Sequence, residues 1–269
     1  MNNNSIGVFD SGLGGLTAVK SIIKELPCEN IVYFGDTARL PYGTKTEQTI
    51  KQYAESDIRF LLSHDVKLVV IACGTASSVA LDDMRKIFPD KKIIGVVETA
   101  CEAAVEATKS GKIGVLGTSA TIKSSSYLKG IAKLDSNAKV YQKACPLFVP
   151  LVENGHFNTE VTKLVVAEYL EEIKKENVDT LILGCTHYPL LEDAIREYMG
   201  ESVTIINVCA ELAKAIPAIL GEDNLASRDV EGVCKYYVSD NPNGFAELGG
   251  VFLDRKIDGQ VEEIDIEKY

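Results

Sequence analysis

The stretch KLVVIACGTASS (67–78) decides the fold, because a short β-branched run ends in Cys73-Gly74-Thr75, which opens a helix. Similar short runs alternate with longer amphipathic segments along the chain. They are IGVF (6–9), NIVYF (30–34), KLVVIA (67–72), KIIGVV (92–97), KIGVLG (112–117), TLILG (180–184) and VTIINV (203–208). This alternation predicts a doubly wound α/β fold with largely parallel sheets and helices on both faces.

Two of the intervening segments carry apolar residues at helical spacing, and we interpret both apolar stripes as faces that pack on a sheet. In 46–64 the stripe consists of Ile50, Tyr53, Ala54, Ile58, Leu61 and Leu62. In 160–175 it consists of Val161, Leu164, Val165, Tyr169 and Ile173. The segment 97–112 is also helical in character, so no flexible linker is expected there.

Two pairs of segments resemble each other at nearly one offset. IGVFDS (6–11) matches IGVLGT (113–118), and VVIACGTASS (69–78) matches LILGCTHYPL (181–190). An internal duplication explains both matches, and it predicts two pseudo-symmetric domains with the active site in the cleft between them. We place the first domain at residues 1–97 plus 207–269 and the second at 98–206.

Composition narrows the classes of protein to which the chain can belong. Its 269 residues are 46% hydrophobic and 25% charged, enough to bury a sizeable core. No signal peptide and no apolar run long enough to span a bilayer is present, so a cytoplasmic protein without a membrane partner is expected. A net charge of −11 disfavours nucleic acid as a partner. Seven cysteines without a Cys-x-x-Cys pair are read as free thiols.

Four polar motifs follow predicted strands, where open α/β sheets bind ligands. They are Asp10-Ser11, Pro41-Tyr42-Gly43, Cys73-Gly74-Thr75 and Cys185-Thr186-His187. A cysteine between a strand and a helix lies in the field of the helix N-terminus, which is expected to lower the pKa of its thiol. Because Cys73 and Cys185 occupy matching places in the two repeats, we interpret them as functional and the other five cysteines as structural.

Two thiols that face each other across a cleft suit a 1,1-proton transfer, in which one removes a proton from a carbon and the other delivers one to the opposite face. Asp10 and His187 are placed to tune the proton affinity of these thiols. The sequence DSGLGGL (10–16) is not a dinucleotide fingerprint, because the third glycine position of G-x-G-x-x-G falls on Thr17. No second Cys/His pair completes a metal site, so neither a cofactor nor a metal is expected.

The motifs FDSGLGGL, DTARLPYG, ACGTAS, VENG and GCTHYPLL, in this order, closely resemble the glutamate racemases of the aspartate/glutamate racemase superfamily over nearly the whole chain. The resemblance implies cofactor-independent racemisation of glutamate, which supplies D-glutamate for peptidoglycan, and a possible homodimer. It implies that Cys73 acts on the D enantiomer and Cys185 on the L enantiomer, assisted by Asp10 and His187. The substrate-binding positions that it implies are Asp10, Ser11, Tyr42, Gly43, Gly74, Thr75, Thr118, Thr121, Thr186 and His187. The role of Glu153 stays open.

One position departs from the family pattern: Gly74 stands where Asn is usual. If the lost amide only binds substrate, Gly74→Asn should lower the KM for glutamate severalfold with little change in kcat. If the pocket is shaped around glycine, the added side chain should collide instead. His187 favours glutamate over aspartate as substrate. Two alternatives stay open: a racemase of aspartate or another amino acid, and a non-catalytic binding protein that retains the fold.

Overall fold

A computed structural model of the chain describes residues 3–222, 225–227, 231–257 and 261–269. Its described strands are β1 (Ile6–Asp10), β2 (Ile31–Gly35), β3 (Leu68–Ile71), β4 (Ile93–Gly95), β5 (Lys112–Gly117), β6 (Lys139–Ala144), β7 (Thr180–Leu183), β8 (Thr204–Asn207), β9 (Cys234–Val238) and β10 (Val261–Glu263). All seven predicted strands are present. Three strands, β6, β9 and β10, were not predicted.

Helices follow most of the strands. They are α1 (Leu16–Glu25), α2 (Glu47–Leu62), α3 (Gly74–Ile87), α4 (Val96–Ala107), α5 (Ser119–Ser124), α6 (Ser126–Leu134), α7 (Phe148–Glu153), α8 (Glu160–Lys175), α9 (Glu192–Met199), α10 (Val208–Glu222) and α11 (Pro242–Leu253). Short 3-10 turns occur at Tyr42–Thr44, Tyr188–Leu191 and Ile266–Lys268. None of the described helices is long and apolar enough to cross a membrane.

The strands form two sheets, in which every described pairing is parallel. The first sheet has the order β10-β9-β2-β1-β3-β4, and the second has the order β6-β5-β7-β8. We call each sheet, with the loops that leave the carboxyl ends of its strands, the first half and the second half. The doubly wound α/β prediction is therefore confirmed, whereas the domain bounds proposed from sequence stay a prediction.

The internal duplication is visible in the register of the strands. In the first sheet Ile6 of β1 lies opposite Leu68 of β3, and in the second sheet Ile113 of β5 lies opposite Thr180 of β7. Ile6 and Ile113 begin the first pair of matched segments, and Leu68 and Thr180 lie one residue before the second pair. The strands β2-β1-β3-β4 thus correspond to β6-β5-β7-β8, and equivalent strand ends carry Cys73 and Cys185.

Alternating side chains of the first sheet enter two apolar cores. Ile6 and Val8 of β1 join a core with α1, and this core continues through α10 and α4 to the second sheet. Phe9 of β1 points to the opposite face, where a separate core lies under α2 and α3. The shared core packs the two halves against each other without a flexible linker, because α4 follows β4 directly.

Two details of the predicted elements are wrong. The run 92–97 does not stay extended, since β4 ends at Gly95 and Val96 begins α4. In α8 the predicted core residues Val161 and Leu164 are 54% and 71% exposed. The buried face of that helix carries Thr162, Val166, Leu170 and Ile173, of which Ile173 was predicted. The apolar stripe of α8 is wider than the face that the second sheet covers, so spacing alone assigned its centre wrongly.

Asp179 ties the turn between α4 and β5 to the start of β7, at the edge of the second sheet remote from the strand ends that carry the cysteines. Its carboxylate accepts hydrogen bonds from the hydroxyl of Thr108 at 2.6 Å and from the backbone N–H groups of Lys109 and Ser110 at 2.8 and 2.7 Å. Burial acts to raise the pKa of Asp179, but these hydrogen bonds outweigh it and lower the pKa below its usual range.

We expect Asp179→Asn to lower the free energy of unfolding by about 1–3 kcal/mol at pH 7, because the neutral amide lacks the charge that strengthens the two backbone hydrogen bonds and its NH2 group cannot accept the hydroxyl of Thr108. The native pKa is depressed, so the stabilisation is complete above the unfolded pKa of about 4 and is lost as the pH falls below it. Urea unfolding at pH 7 and at pH 3.5 measures both effects. The exposed Asp82→Asn is the control, and an equal loss of stability in both variants would contradict the assignment.

Candidate active site

The carboxyl ends of β1, β3, β5 and β7 surround one cavity of about 240 Å³. All four motifs singled out in the sequence line it. Of the predicted site residues, the lining includes Asp10, Ser11, Tyr42, Gly43, Cys73, Gly74, Thr75, Thr118, Cys185, Thr186 and His187. The cavity belongs to both halves, which is the arrangement that the duplication predicts.

Cys73 caps α3, as predicted. Its Sγ accepts the backbone N–H of Ala76 at 3.4 Å and lies 3.8 Å from the hydroxyl of Ser11. Cys185 differs from this expectation, because no α-helix begins beside it: the chain passes through a turn and the 3-10 segment Tyr188–Leu191 before α9. The Sγ of Cys185 lies 3.9 Å from Nδ1 of His187. The two thiols therefore occupy equivalent places but have different local partners.

The expectation that helix N-termini lower the thiol pKa values is wrong for this cavity. Burial and the neighbouring carboxylate of Asp10 raise the pKa of Cys73 to about 12, and the N–H of Ala76 only partly offsets them. Burial also raises the pKa of Cys185 well above its usual value. Removing a thiolate from water costs more than one or two hydrogen bonds return. Both thiols are consequently protonated at neutral pH in the ligand-free protein.

Asp10 connects the two halves at the floor of the cavity. Its carboxylate accepts the N–H of Gly12 at 3.0 Å and the hydroxyl of Thr186, from the second half, at 3.3 Å. Burial raises the pKa of Asp10, while the nearby His187 and these hydrogen bonds act in the opposite direction. Asp10 is therefore a buried carboxyl group with a raised pKa, beside both cysteine loops.

His187 and Glu153, whose role the sequence left open, form a pair on the second half. Nε2 of His187 lies 3.1 Å from Oε1 of Glu153, and the imidazole ring packs edge-on against Phe252. When Nε2 donates its hydrogen to the carboxylate, Nδ1 is left as a proton acceptor facing Cys185. Glu153 thus fixes the orientation of the ring and selects the tautomer that serves the thiol.

Three threonine hydroxyls form a chain across the mouth of the cleft. Oγ1 of Thr75 lies 2.9 Å from Oγ1 of Thr118, which in turn lies 3.0 Å from Oγ1 of Thr121. Thr75 belongs to the first half and Thr118 to the second, so this contact bridges them. Thr121 is fully buried and does not line the cavity, so it influences a ligand through Thr118.

The hydroxyl of Tyr42 is already engaged behind the cavity wall. It donates to Asp36 and lies 2.9 Å from a carboxylate oxygen of Asp57, and Arg39 bonds to both carboxylates. Burial and the adjacent Asp36 raise the pKa of Asp57 well above its usual range. Tyr42 therefore offers the cavity its backbone and ring rather than its hydroxyl.

The wall contributed by residues 145–153 was missed in the sequence. Cys145, Pro146, Val149 and Pro150 line the cavity together with Glu153. Cys145 follows β6, the second-sheet equivalent of β2, and it was interpreted as structural because β6 was not recognised. The position of Cys145 could have revealed this wall. Residues that follow β2 were already predicted to lie in the site, and the duplication makes the residues that follow β6 their equivalents in the second half.

We expect Cys73 in the ligand-free protein to react slowly with iodoacetamide at pH 8, because a thiol of pKa about 12 has about one thiolate in ten thousand at that pH. Its alkylation rate should rise about tenfold for each pH unit from 8 to 10, without a plateau. Peptide mapping by mass spectrometry measures this rate, with the half-buried Cys28 of the same chain as a reference. A plateau below pH 9 would show that the thiolate is stabilised.

Comparisons with known proteins agree on one family. A profile of Asp/Glu/hydantoin racemases matches residues 15–216. The glutamate racemase of Geobacter metallireducens is 44% identical over 264 residues, covering 98% of this chain and 97% of its own. The crystal structure of a glutamate racemase isoform from Bacillus anthracis superposes with a TM-score of 0.95 at 36% identity, covering 98% of each chain.

A further solved structure carries a ligand. The glutamate racemase of Francisella tularensis in complex with D-glutamate has a TM-score of 0.94 at 36% identity, and the match covers 100% of both chains. These relatives span the full length of the described fold, including the strands that were not predicted. This chain therefore belongs to the Asp/Glu/hydantoin racemase family.

Proposed function

We propose that this chain is a glutamate racemase that interconverts L- and D-glutamate without a cofactor, using Cys73 and Cys185 as the two proton carriers. The observation that carries the proposal is that equivalent strand ends of two duplicated sheets each place a cysteine in the same cavity. A carbon held between two such thiols is approached from opposite faces. Removal of a proton on one face and delivery on the other inverts its configuration.

Because both thiols are protonated in the ligand-free protein, the bound substrate itself has to help a thiolate to form. Glutamate carries an ammonium group on the carbon that loses its proton, and a cation bound near a thiol lowers the pKa of that thiol. The ligand-free cavity keeps both cysteines neutral through burial. We propose that the bound ammonium offsets part of this burial cost, so that a reactive thiolate forms only when substrate is present.

The two carboxylates of glutamate must be bound by hydrogen-bond donors other than lysine or arginine side chains. None of the described residues that line the cavity is a lysine or an arginine. Hydroxyl groups of Ser11, Thr75 and Thr118 and backbone N–H groups in the loops supply the hydrogen bonds. The cavity volume of about 240 Å³ is enough for one small amino acid.

The two thiols are assisted differently. Nδ1 of His187, oriented by Glu153, is placed to exchange a proton with Cys185, whereas Asp10 lies on the side of Cys73. We propose that Cys185 serves L-glutamate and Cys73 serves D-glutamate. The similarity to glutamate racemases supports a role in supplying D-glutamate for peptidoglycan, and with it a part in cell wall biogenesis and cell shape, a cytoplasmic location and a homodimer.

Replacing either Cys73 or Cys185 with Ala should abolish racemisation, because each thiol serves one face of the carbon and neither step can be omitted. Circular dichroism of glutamate over time measures the reaction in both directions. Cys101→Ala is the matched control, since Cys101 is equally buried but lies outside the cavity. A folded Cys73→Ala or Cys185→Ala variant that retains more than a few per cent of the activity would refute the two-thiol mechanism.

Proton NMR in D₂O identifies the substrate and the reaction class together. With L- or D-glutamate we expect deuterium to replace the α-hydrogen while chirality is lost, because the delivered proton comes from solvent-exchanged thiol. L-Aspartate is the comparison substrate, and heat-denatured protein is the background control, because a variant with one remaining thiol can still exchange the α-hydrogen. Turnover of aspartate alone would identify another racemase of the family, and binding without exchange would identify a non-catalytic protein.

A further inference from the structure

Three glycines of the first half lie directly against the second half around the cavity. Gly14 precedes α1, Gly43 lies in the 3-10 turn Tyr42–Thr44, and Gly74 is the first residue of α3. A Cβ atom on any of them would come closer than 3.0 Å to an atom of the second half, nearer than real Cβ atoms pack. These contacts surround the two cysteine loops on the side of the first half.

The three contacts differ in how easily the neighbouring atoms can move. A Cβ at Gly14 would meet the side chains of Thr186 and His187, and one at Gly43 would lie 2.8 Å from Cβ of Thr118. A Cβ at Gly74 would meet the backbone carbonyl oxygen of Gly184 and would lie 3.4 Å from Cα of Cys185. The side chains of Thr186 and His187 can rotate away, whereas the Cβ of Thr118 is held by its own backbone and the carbonyl that precedes Cys185 is part of the strand end itself.

Glycine is not required at these three positions by backbone conformation. Among the described residues, the glycines with positive φ are Gly111, Gly155 and Gly200, so Gly14, Gly43 and Gly74 adopt angles open to any residue. What the three share is the absence of a side chain where the other half approaches. Space, rather than a turn, is therefore the physical reason for glycine here.

We propose that Gly14, Gly43 and Gly74 are stops that set the distance between the two halves, and that Gly74 fixes the separation of Cys73 from Cys185. The two cysteine loops touch at Gly74, so a side chain there must push the strand ends apart. The proposal rests on the proposed two-thiol function only for its catalytic consequence. Gly74 acts through the neighbouring thiols and is a positioning residue.

The structure also decides between the two outcomes considered for Gly74→Asn. The first atom of any added side chain already collides with Gly184, before an amide could reach a ligand. The structure therefore favours the alternative, in which the pocket is built around glycine, and we expect Gly74→Asn not to lower the KM for glutamate.

Moving the two thiols apart should uncouple removal of the α-proton from delivery of a proton to the opposite face. One thiolate still takes the α-proton, but the second thiol no longer reaches the opposite face of the carbon. The first thiol then exchanges its proton with solvent and returns a deuteron to the same face. Deuterium enters the starting enantiomer with retention, and inversion slows. A misplacement of about 1 Å is enough to slow a reaction by about 100-fold.

The test compares Gly74→Ala with Gly221→Ala, because a Cβ at Gly221 has no neighbour within 4 Å. For Gly74→Ala we expect a crystal structure to show a longer separation between Cα of residue 74 and the carbonyl oxygen of Gly184. We expect kcat for inversion to fall about 100-fold, and the ratio of deuterium incorporation with retention to inversion to rise severalfold. Gly221→Ala should match the wild type in all three measurements.

The proposal would be overturned if the distance between Cα of residue 74 and the carbonyl oxygen of Gly184 did not change in Gly74→Ala. It would also be overturned if kcat for inversion and the ratio of retention to inversion both matched the wild type. If Gly74→Ala does not fold, Gly43→Ala decides, because an added Cβ there lies 2.8 Å from Cβ of Thr118 and overlaps less with its neighbour than one at Gly74. It should lower kcat about tenfold and raise the retention ratio, and wild-type values would refute the role of the stops. Failure of the wild type to racemise glutamate would refute the proposed function instead, while the crystallographic separation would still test the stops.

Discussion

The close approach of Gly74 to the carbonyl of Gly184 is the constraint on which the site depends. It brings the carboxyl end of β3 against the carboxyl end of β7, and each of these strand ends carries a cysteine. Everything else in the cavity is arranged around this contact: the Thr75 and Thr118 hydroxyls bridge the halves on one side, and the Asp10 carboxylate accepts from Thr186 at the floor. The residues of a site built from two halves hold fixed relative positions only when the distance between the halves is fixed.

The same contact explains the electrostatics of the thiols. Bringing the two halves together removes water from both cysteines, and this burial raises the pKa of each thiol further than hydrogen bonds lower it. A permanently ionised thiol would be exposed to oxidation and alkylation, whereas a neutral one is comparatively inert. We propose that the thiols become reactive only when a cationic group binds, with Asp10 and the His187–Glu153 pair as the proton acceptors beside them.

Stability and chemistry are located at opposite ends of the strands. The shared apolar core runs through α1, α10 and α4 and joins the two sheets along their lengths, so the halves are held together by packing. Asp179 secures a turn at the remote edge, while the polar network of Asp36, Arg39, Tyr42 and Asp57 supports the loop that forms the cavity wall. The strand ends that carry the cysteines thus contribute less than the apolar core to holding the two halves together.

The sequence by itself predicted the α/β class, the duplication and the placement of Cys73 and Cys185 at equivalent strand ends, because strand periodicity and strand-end position are local properties that repeat visibly along the chain. It missed β6, whose residues are only half-buried or exposed at a sheet edge, and with it the wall that contains Cys145, while Glu153 was singled out with its role left open. It also misjudged the exposed face of α8, since the apolar stripe does not reveal how much of it a neighbour covers.

Only the tertiary structure decided the protonation of the thiols and the meaning of Gly74. A pKa depends on how much water the folded chain removes, and the helix N-terminus visible in the sequence is a smaller effect than that burial. The role of Gly74 depends on an atom of Gly184, 110 residues away along the chain, which no local pattern connects to it. Contacts between distant segments are set by how the two sheets pack, and that packing exists only in the folded molecule.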